Sequence, residues 1–242
     1  MDLKERFEEN ILHRETPFIE LVQQEDVWDF LASIDKHIAA MKDYDQNSLY
    51  HCYDLLTHTA YVVDGLHYDD LSEQDYHDLR IAAFFHDIGK PQVRADKIIN
   101  GRVYNSFHGH PIVSEQISQS ILKKLGYKGE EYRRIRFFII AHDLFIDFRP
   151  KEKYENPNKH RHSIIPKNIK RVIDRTKSNY PDLKITLDDF ISLIPLCISD
   201  AYAHKDVVYG ADGSIKDTNI DMGHRPLYIL DCMRVLKEEG YQ

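Results

Sequence analysis

Cysteine is scarce. The 242 residues hold three, Cys52, Cys197 and Cys232, far apart and without a CxxC pair. That argues against a disulfide framework and a thiolate zinc site, and it fits a reducing, cytoplasmic setting. No window approaches the roughly 18 consecutive apolar residues of a membrane span. The opening MDLKERFEEN is charged from its second residue, so a soluble, unprocessed chain with no membrane partner is expected. Positive charge is also short: 32 Lys and Arg face 40 Asp and Glu, a formal net charge of −8. A general affinity for nucleic-acid phosphate is not expected, which leaves only a local basic groove for such a partner. Internal repeats, low-complexity tracts and an interdomain linker are absent as well, so residues 1–242 read as a single domain.

What is present is helical periodicity. Apolar residues make up 42% of the chain, enough for a sizeable core, and no strand-turn-strand alternation stands out, so the fold class is read as all-α. Two or three helices are expected in residues 2–42, with Thr16-Pro17 as a cap and first helical position. Further helices are expected over 50–66, 72–87 and 110–125, the second opened by SEQD and stopped by Gly89 and Pro91, the third carrying Pro111 at its start. The remaining helices are placed at 130–146, 166–177, 187–206 with a kink at Pro195, and 226–240. Residues 92–107 read as a polar loop with an Asn100-Gly101 turn, and 148–166 as a long mobile loop or lid.

Fourteen histidines make it worth asking which share a face. Leu55, His58 and Val62 lie on one stripe; Leu79, Ala82, Ala83 and His86 on another, with Asp87 beside it; Ile135, Phe138, Ile139 and His142 on a third; Leu193, Leu196, Cys197 and Asp200 on a fourth. Taken singly, each histidine reads as a core residue bonded to a carbonyl. A carboxylate such as Asp200 inside LIPLCISDAYA is harder to leave alone, because an unpaired buried charge is costly. Several histidines and two carboxylates converging on a metal ion would satisfy all of them together. Phe84, Phe85, Phe137, Phe138 and Phe145 are core by default.

In order, THTAYVV with His58, FFHDIGK with His86 and Asp87, and LCISDAYA with Asp200 resemble the HD-domain superfamily of metal-dependent phosphohydrolases. FHGHP and IIAHD supply His110 and His142, the two extra histidines of members that bind two ions. The layout of HDIGKP, GRVYNSFHGHPIVSEQI and IIAHD is also similar to the HD domains of some bacterial tRNA nucleotidyltransferases. The resemblance covers roughly residues 50–203 and implies an HD-type helical bundle with a motif-bearing core of about 50–205 and extra helices at both ends. It implies His58, His86, Asp87 and Asp200 as the core metal site, joined by His110 and His142.

Imidazole and carboxylate donors without thiolate suit iron, manganese, zinc or nickel, and four histidines favour these over magnesium alone. If all six residues bind, Asp87 bridges two ions about 3.5 to 4 Å apart, with a hydroxide between them set for in-line attack on phosphorus. The expected activity is hydrolysis of a phosphomonoester or diester of a nucleotide or related small phosphate. Asp87 and Lys90 would be catalytic, and Lys90, His108 and Asp143 would meet substrate. Each of the last three has a plainer reading: Lys90 as a solvated lysine near a helix end, Asp143 as a second-layer orienter or a solvent-facing acid, His108 as a cap. His51, His67, His77, His204 and His224 read as surface or helix-end residues, and Lys159, His160, Arg161 and His162 as a cationic loop patch, either solvated or touching substrate. Two other functions compete. A regulatory module binding nucleotide or RNA without hydrolysis would have no need of His110 and His142. A deoxynucleotide triphosphohydrolase would want a compact Arg and Lys cluster, which the sequence does not display. An acidic exterior favours a small substrate over a long nucleic acid.

Overall fold

The structure is a computed structural model that describes residues 2–150, 162–209 and 213–242. Four helices occupy the first forty residues: α1 (Leu3–Ile11), α2 (Phe18–Leu21), α3 (Glu25–Ile34) and α4 (Lys36–Ala39). α1 opens on a capping box between Asp2 and Glu5 and buries Phe7 and Ile11. The expected Thr16-Pro17 cap does not form. Pro17 precedes α2 without a side-chain bond, and the carboxylate of Asp64 accepts from the backbone N–H groups of Phe18 (2.6 Å) and Ile19 (2.9 Å). Proline carries no side-chain acceptor, so the orphan amides of this short helix are met from elsewhere in the chain.

That carboxylate ends α5 (Leu55–Asp64), which begins later than residue 50 because Asp54 caps it, accepting from the Thr57 amide at 3.0 Å. After a 3-10 turn, α6 (Glu73–Phe85) starts at its Ser72 cap as expected and is buried from Leu79 through Phe85. It is the central helix, packed against α1 and α5; its Phe84 ring meets Phe7 at 5.6 Å and Phe18 at 5.8 Å. The helices at the N-terminus therefore brace the element that carries the His-Asp pair. A four-residue α7 (Lys90–Val93) follows Gly89, where a Cβ would lie 2.5 Å from the Ser114 amide nitrogen; only glycine lets the next long helix come this close.

Residues 92–107 are not a plain loop. β1 (Ala95–Ile99) and β2 (Arg102–Ser106) form an antiparallel hairpin closed by Asn100 and Gly101, at φ 51° and 73°. Two positive φ values suit a two-residue turn that follows the strand twist. The turn signal is visible in the sequence, but nearly every strand residue is exposed or half-exposed, so no alternation betrays the strands.

α8 (His110–Leu125) has its expected bounds, α9 (Gly129–Ala141) stops five residues before 146 in a series of turns, and α10 (Pro166–Asn179) starts at Pro166. Of the expected lid, residues 151–161 lie outside the described residues, and with them Lys159, His160 and Arg161; His162 stacks on Phe148 at 5.5 Å. α11 (Leu187–Tyr202) runs through Pro195. A second antiparallel hairpin, β3 (Val207–Tyr209) and β4 (Ile215–Thr218), follows α11. α12 (Asn219–Glu238) then begins well before Pro226, because Thr218 caps it by accepting from the Asp221 amide at 3.0 Å; Pro226 sits inside it, buried, as the helix packs along α11. Two small two-stranded sheets leave the architecture all-α. No helix among the described residues is long and apolar enough to cross a membrane.

Candidate metal centre

Five helices bring the six expected ligands together. His58 comes from α5, His86 and Asp87 from the residues closing α6, His110 from the first residue of α8, His142 from the end of α9 and Asp200 from α11. Three of the rings are held by one local device. The Nδ1 atoms of His86, His110 and His142 lie 2.7, 2.9 and 2.7 Å from the backbone carbonyls of Ala83, Phe107 and Ile139, each three residues earlier. Two of these carbonyls belong to helix last turns, where backbone acceptors have no partner within the helix. His58 Nδ1 faces the Ala203 carbonyl at 3.3 Å. A carbonyl only accepts, so Nδ1 donates in every case and each Nε2, aimed inward, is the nitrogen left for a metal ion or a proton.

Asp87 sits between two groups of these rings. Its Oδ2 lies 3.1 Å from His86 Nε2 and 3.3 Å from His58 Nε2, while Oδ1 lies 3.0 Å from His110 Nε2 and 3.8 Å from His142 Nε2. Asp200 Oδ1 lies 3.1 Å from His58 Nε2 and 3.7 Å from His86 Nε2, and the Nε2 atoms of His110 and His142 are 3.0 Å apart. Despite these distances, His58 Nε2, His86 Nε2 and Asp87 Oδ1 have no hydrogen-bond partner. Acceptor atoms crowded this closely in a largely buried site are costly unless a cation, a metal ion or a proton, lies among them. Three sets have donor atoms within 4.8 Å of one another and could hold an ion: His58, His86 and Asp200; His86, Asp87 and His142; His51, His58 and Asp87. The donor set fits a divalent ion.

A proton competes for the same positions. Burial alone would lower His86, but the negative charges of Asp87 and Asp200 raise it to about 10. Burial and the neighbouring His86 and His110 push His142 down to about 3. Burial would raise Asp87, yet His86, Lys90 and His110 hold it well below the usual carboxylate range; Asp200 is held low against burial by the rings of His204, His58 and His86. The centre thus holds two ionised carboxylates and a mixture of neutral and protonated rings.

Lys90 is not solvated. It is buried, with Nζ 2.5 Å from Asp87 Oδ2, 2.8 Å from Gln46 Oε1 and 3.0 Å from His51 Nε2. His51 and His204, expected at the surface, belong to the site instead: their ring centroids are 4.5 Å apart, and those of His51 and His58 4.8 Å. Burial, with the Lys90 charge, holds His51 well below its ordinary value, and burial takes His204 to about 4. His51 lies in the extended segment before α5, where no helical stripe marks it; His204 is one turn beyond Asp200, a spacing that was legible. His77 is likewise not a surface residue, its ring lying between Glu8 and Asp78. His67 and His224 are exposed.

A cavity of about 300 Å³ opens over Asp87 and Lys90, with His108 and Asp143 on its wall. His108 is exposed. Asp143 makes no hydrogen bond to a histidine among the described residues, since carbonyls already orient the rings; burial raises its carboxyl.

A family model for the HD domain matches residues 48–177, more than half of the chain. A comparison with curated proteins gives no match. The matched span carries His58, His86, Asp87, His110 and His142, while Asp200 lies beyond it and reaches the site through α11. By that match, the order of these residues and the helical bundle that gathers them, the chain belongs to the HD-domain superfamily of metal-dependent phosphohydrolases.

Proposed function

We propose that this chain hydrolyses a phosphomonoester or phosphodiester of a nucleotide or a related small phosphate at the buried His-Asp centre. The observation that carries the reading is the set of inward Nε2 lone pairs around Asp87, with His58 Nε2, His86 Nε2 and Asp87 Oδ1 unpartnered. The histidine-rich donors favour iron, manganese, zinc or nickel over magnesium. A divalent ion held there supplies Lewis acidity toward the phosphoryl oxygens and eases ionisation of the attacking water.

The protein's own groups do the rest. Asp87 presents one oxygen to His58 and His86 and the other to His110 and His142, so it fixes the two halves of the donor set relative to each other. Lys90 reaches the cavity beside Asp87 and offers a point charge to a phosphate oxygen, while Gln46 and His51 hold its ammonium in place. Asp143 and His108 meet the substrate along the wall, and His108, nearest to solvent, is placed to give a proton to the leaving oxygen as the P–O bond breaks. The complete donor set disfavours a module that only binds nucleotide.

The test is a hydrolysis screen of nucleoside monophosphates, cyclic nucleotides and dinucleotides with each candidate metal, on wild type and Asp87→Ala. Turnover in wild type should fall at least about 100-fold in the variant. An undiminished rate would overturn the assignment, and tight nucleotide binding without turnover would favour the regulatory module.

A further inference from the structure

The cavity over the metal centre does not end at its mouth. It continues into a larger depression of about 740 Å³, and the two share Leu49, Ile99 and Tyr104. The outer depression lies between the two hairpins: β1–β2 contributes Ile99, Arg102 and Tyr104, and β3–β4, with the residues leading into it, contributes Lys205, Tyr209 and Lys216. Among the described residues no carboxylate lines it. In a chain of net charge −8, three cations facing one cleft without an acid are a local reversal of the overall balance.

Among the described residues their charges also meet no carboxylate. Arg102 is exposed and pairs with no carboxylate among the described residues. Lys205 Nζ donates to the Ser48 carbonyl at 2.9 Å and Lys216 Nζ to the Tyr50 hydroxyl at 2.5 Å, both neutral acceptors. Tyr104 is half-buried and Tyr209 is 59% exposed, so ring faces stand beside the cations. Cations that follow a phosphate backbone, set among aromatic faces that accept any base, are the chemistry that holds unpaired nucleotides. The sequence conceals this group because its members come from β2, the segment before β3, and β4.

We propose that the depression between the hairpins is a subsite for a second nucleotide. The substrate is dinucleotide-sized: its scissile phosphorus lies at the metal centre, its second phosphate on Arg102 and Lys216, and its second base against Tyr104 or Tyr209. The assignment rests on the hydrolase reading for the scissile half alone; the outer half stands on its own residues.

The test compares substrates with one scissile group: a nucleoside monophosphate, a dinucleotide and a tetranucleotide bearing the same terminal phosphate, or their p-nitrophenyl esters if the enzyme prefers diesters. Wild type should show a KM about ten-fold lower for the dinucleotide than for the mononucleotide, with less than about two-fold further gain for the tetranucleotide. The exposed double variant Arg102→Glu/Lys216→Glu should raise the dinucleotide KM about ten-fold while mononucleotide kinetics stay unchanged, and Tyr209→Ala about three-fold. Equal KM values for the mono- and dinucleotide, or an unaltered dinucleotide KM in the double variant, would overturn the subsite and leave the hydrolase intact. A ten-fold gain for the tetranucleotide would overturn the dinucleotide size. If no substrate turns over, calorimetry on the same ligands decides: dinucleotide binding about ten-fold tighter, lost in the double variant, keeps the subsite while the hydrolase reading falls. Equal binding of both ligands overturns it.

Discussion

Two clusters in this protein are built on histidine and carboxylate side chains and behave differently. At the junction of α1 and α6, His77 has both ring nitrogens on carboxylates, Nδ1 at 2.8 Å from Asp78 and Nε2 at 2.9 Å from Glu8, and Tyr127 donates to the same Glu8 at 2.9 Å. At the metal centre His58, His86, His110 and His142 each spend Nδ1 on a carbonyl and turn Nε2 toward other acceptors. The first cluster meets its charges from its own neighbours, since Asp78 Oδ2, which has no hydrogen bond, faces Arg134 Nε at 3.3 Å, and it ties the N-terminal helix to the core. The second is a cradle that its own atoms do not complete. The number of histidines and carboxylates does not separate structural from functional clusters; the direction of the unused lone pairs does.

Substitutions in each cluster, read for both activity and stability, separate the two. The largest effect belongs to Asp200→Ala, which should lower phosphate-ester turnover at least about 100-fold and weaken metal binding. Next is His77→Ala, which should cost about 2 kcal/mol of stability in chemical denaturation, from two hydrogen bonds to charged partners, and leave kcat within about two-fold. A fall in activity with unchanged stability would mean that the two clusters have been assigned the wrong way round.

A smaller effect comes from pH. Burial opposes the charged His77 ring, but its bonds to Asp78 and Glu8 raise it to about 9, above an unfolded value of about 6.5. A folded pKa above the unfolded one means stability that is fully present below pH about 6.5 and is lost as pH rises through about 9. Melting temperature should therefore decline across that window in wild type and be flatter in His77→Gln. Equal slopes would remove the protonated ring from the account.

Much of the centre was legible because a carboxylate or imidazole on an apolar stripe has few structural excuses, as with His58, His86, His142 and Asp200. Lys90 could not be settled from sequence: whether a lysine after a helix end is solvated depends on Gln46 and His51 closing over it. His51 escaped because its neighbour His204 is 153 positions away in the chain but 4.5 Å away at the ring centroids, whereas His204 itself could have been found one turn beyond Asp200. The capping of α2 by Asp64 and the basic cleft between the hairpins were hidden for the same reason. The helices themselves were placed well where a local cap or proline marks them, as at Ser72 and Pro166, and poorly at α12, whose Thr218 cap was outweighed by the proline after it. The hairpins were missed because their strands are too exposed to alternate.

The most direct test of the central contrast is the metal content of protein purified without chelators, measured by elemental analysis on wild type, His77→Ala and Asp87→Ala. One or two divalent transition-metal ions per chain are expected in wild type and the same in His77→Ala, with at least about a ten-fold loss in Asp87→Ala. Wild-type protein that takes up no metal even when it is supplied, or Asp87→Ala that retains as much as wild type, would contradict that expectation.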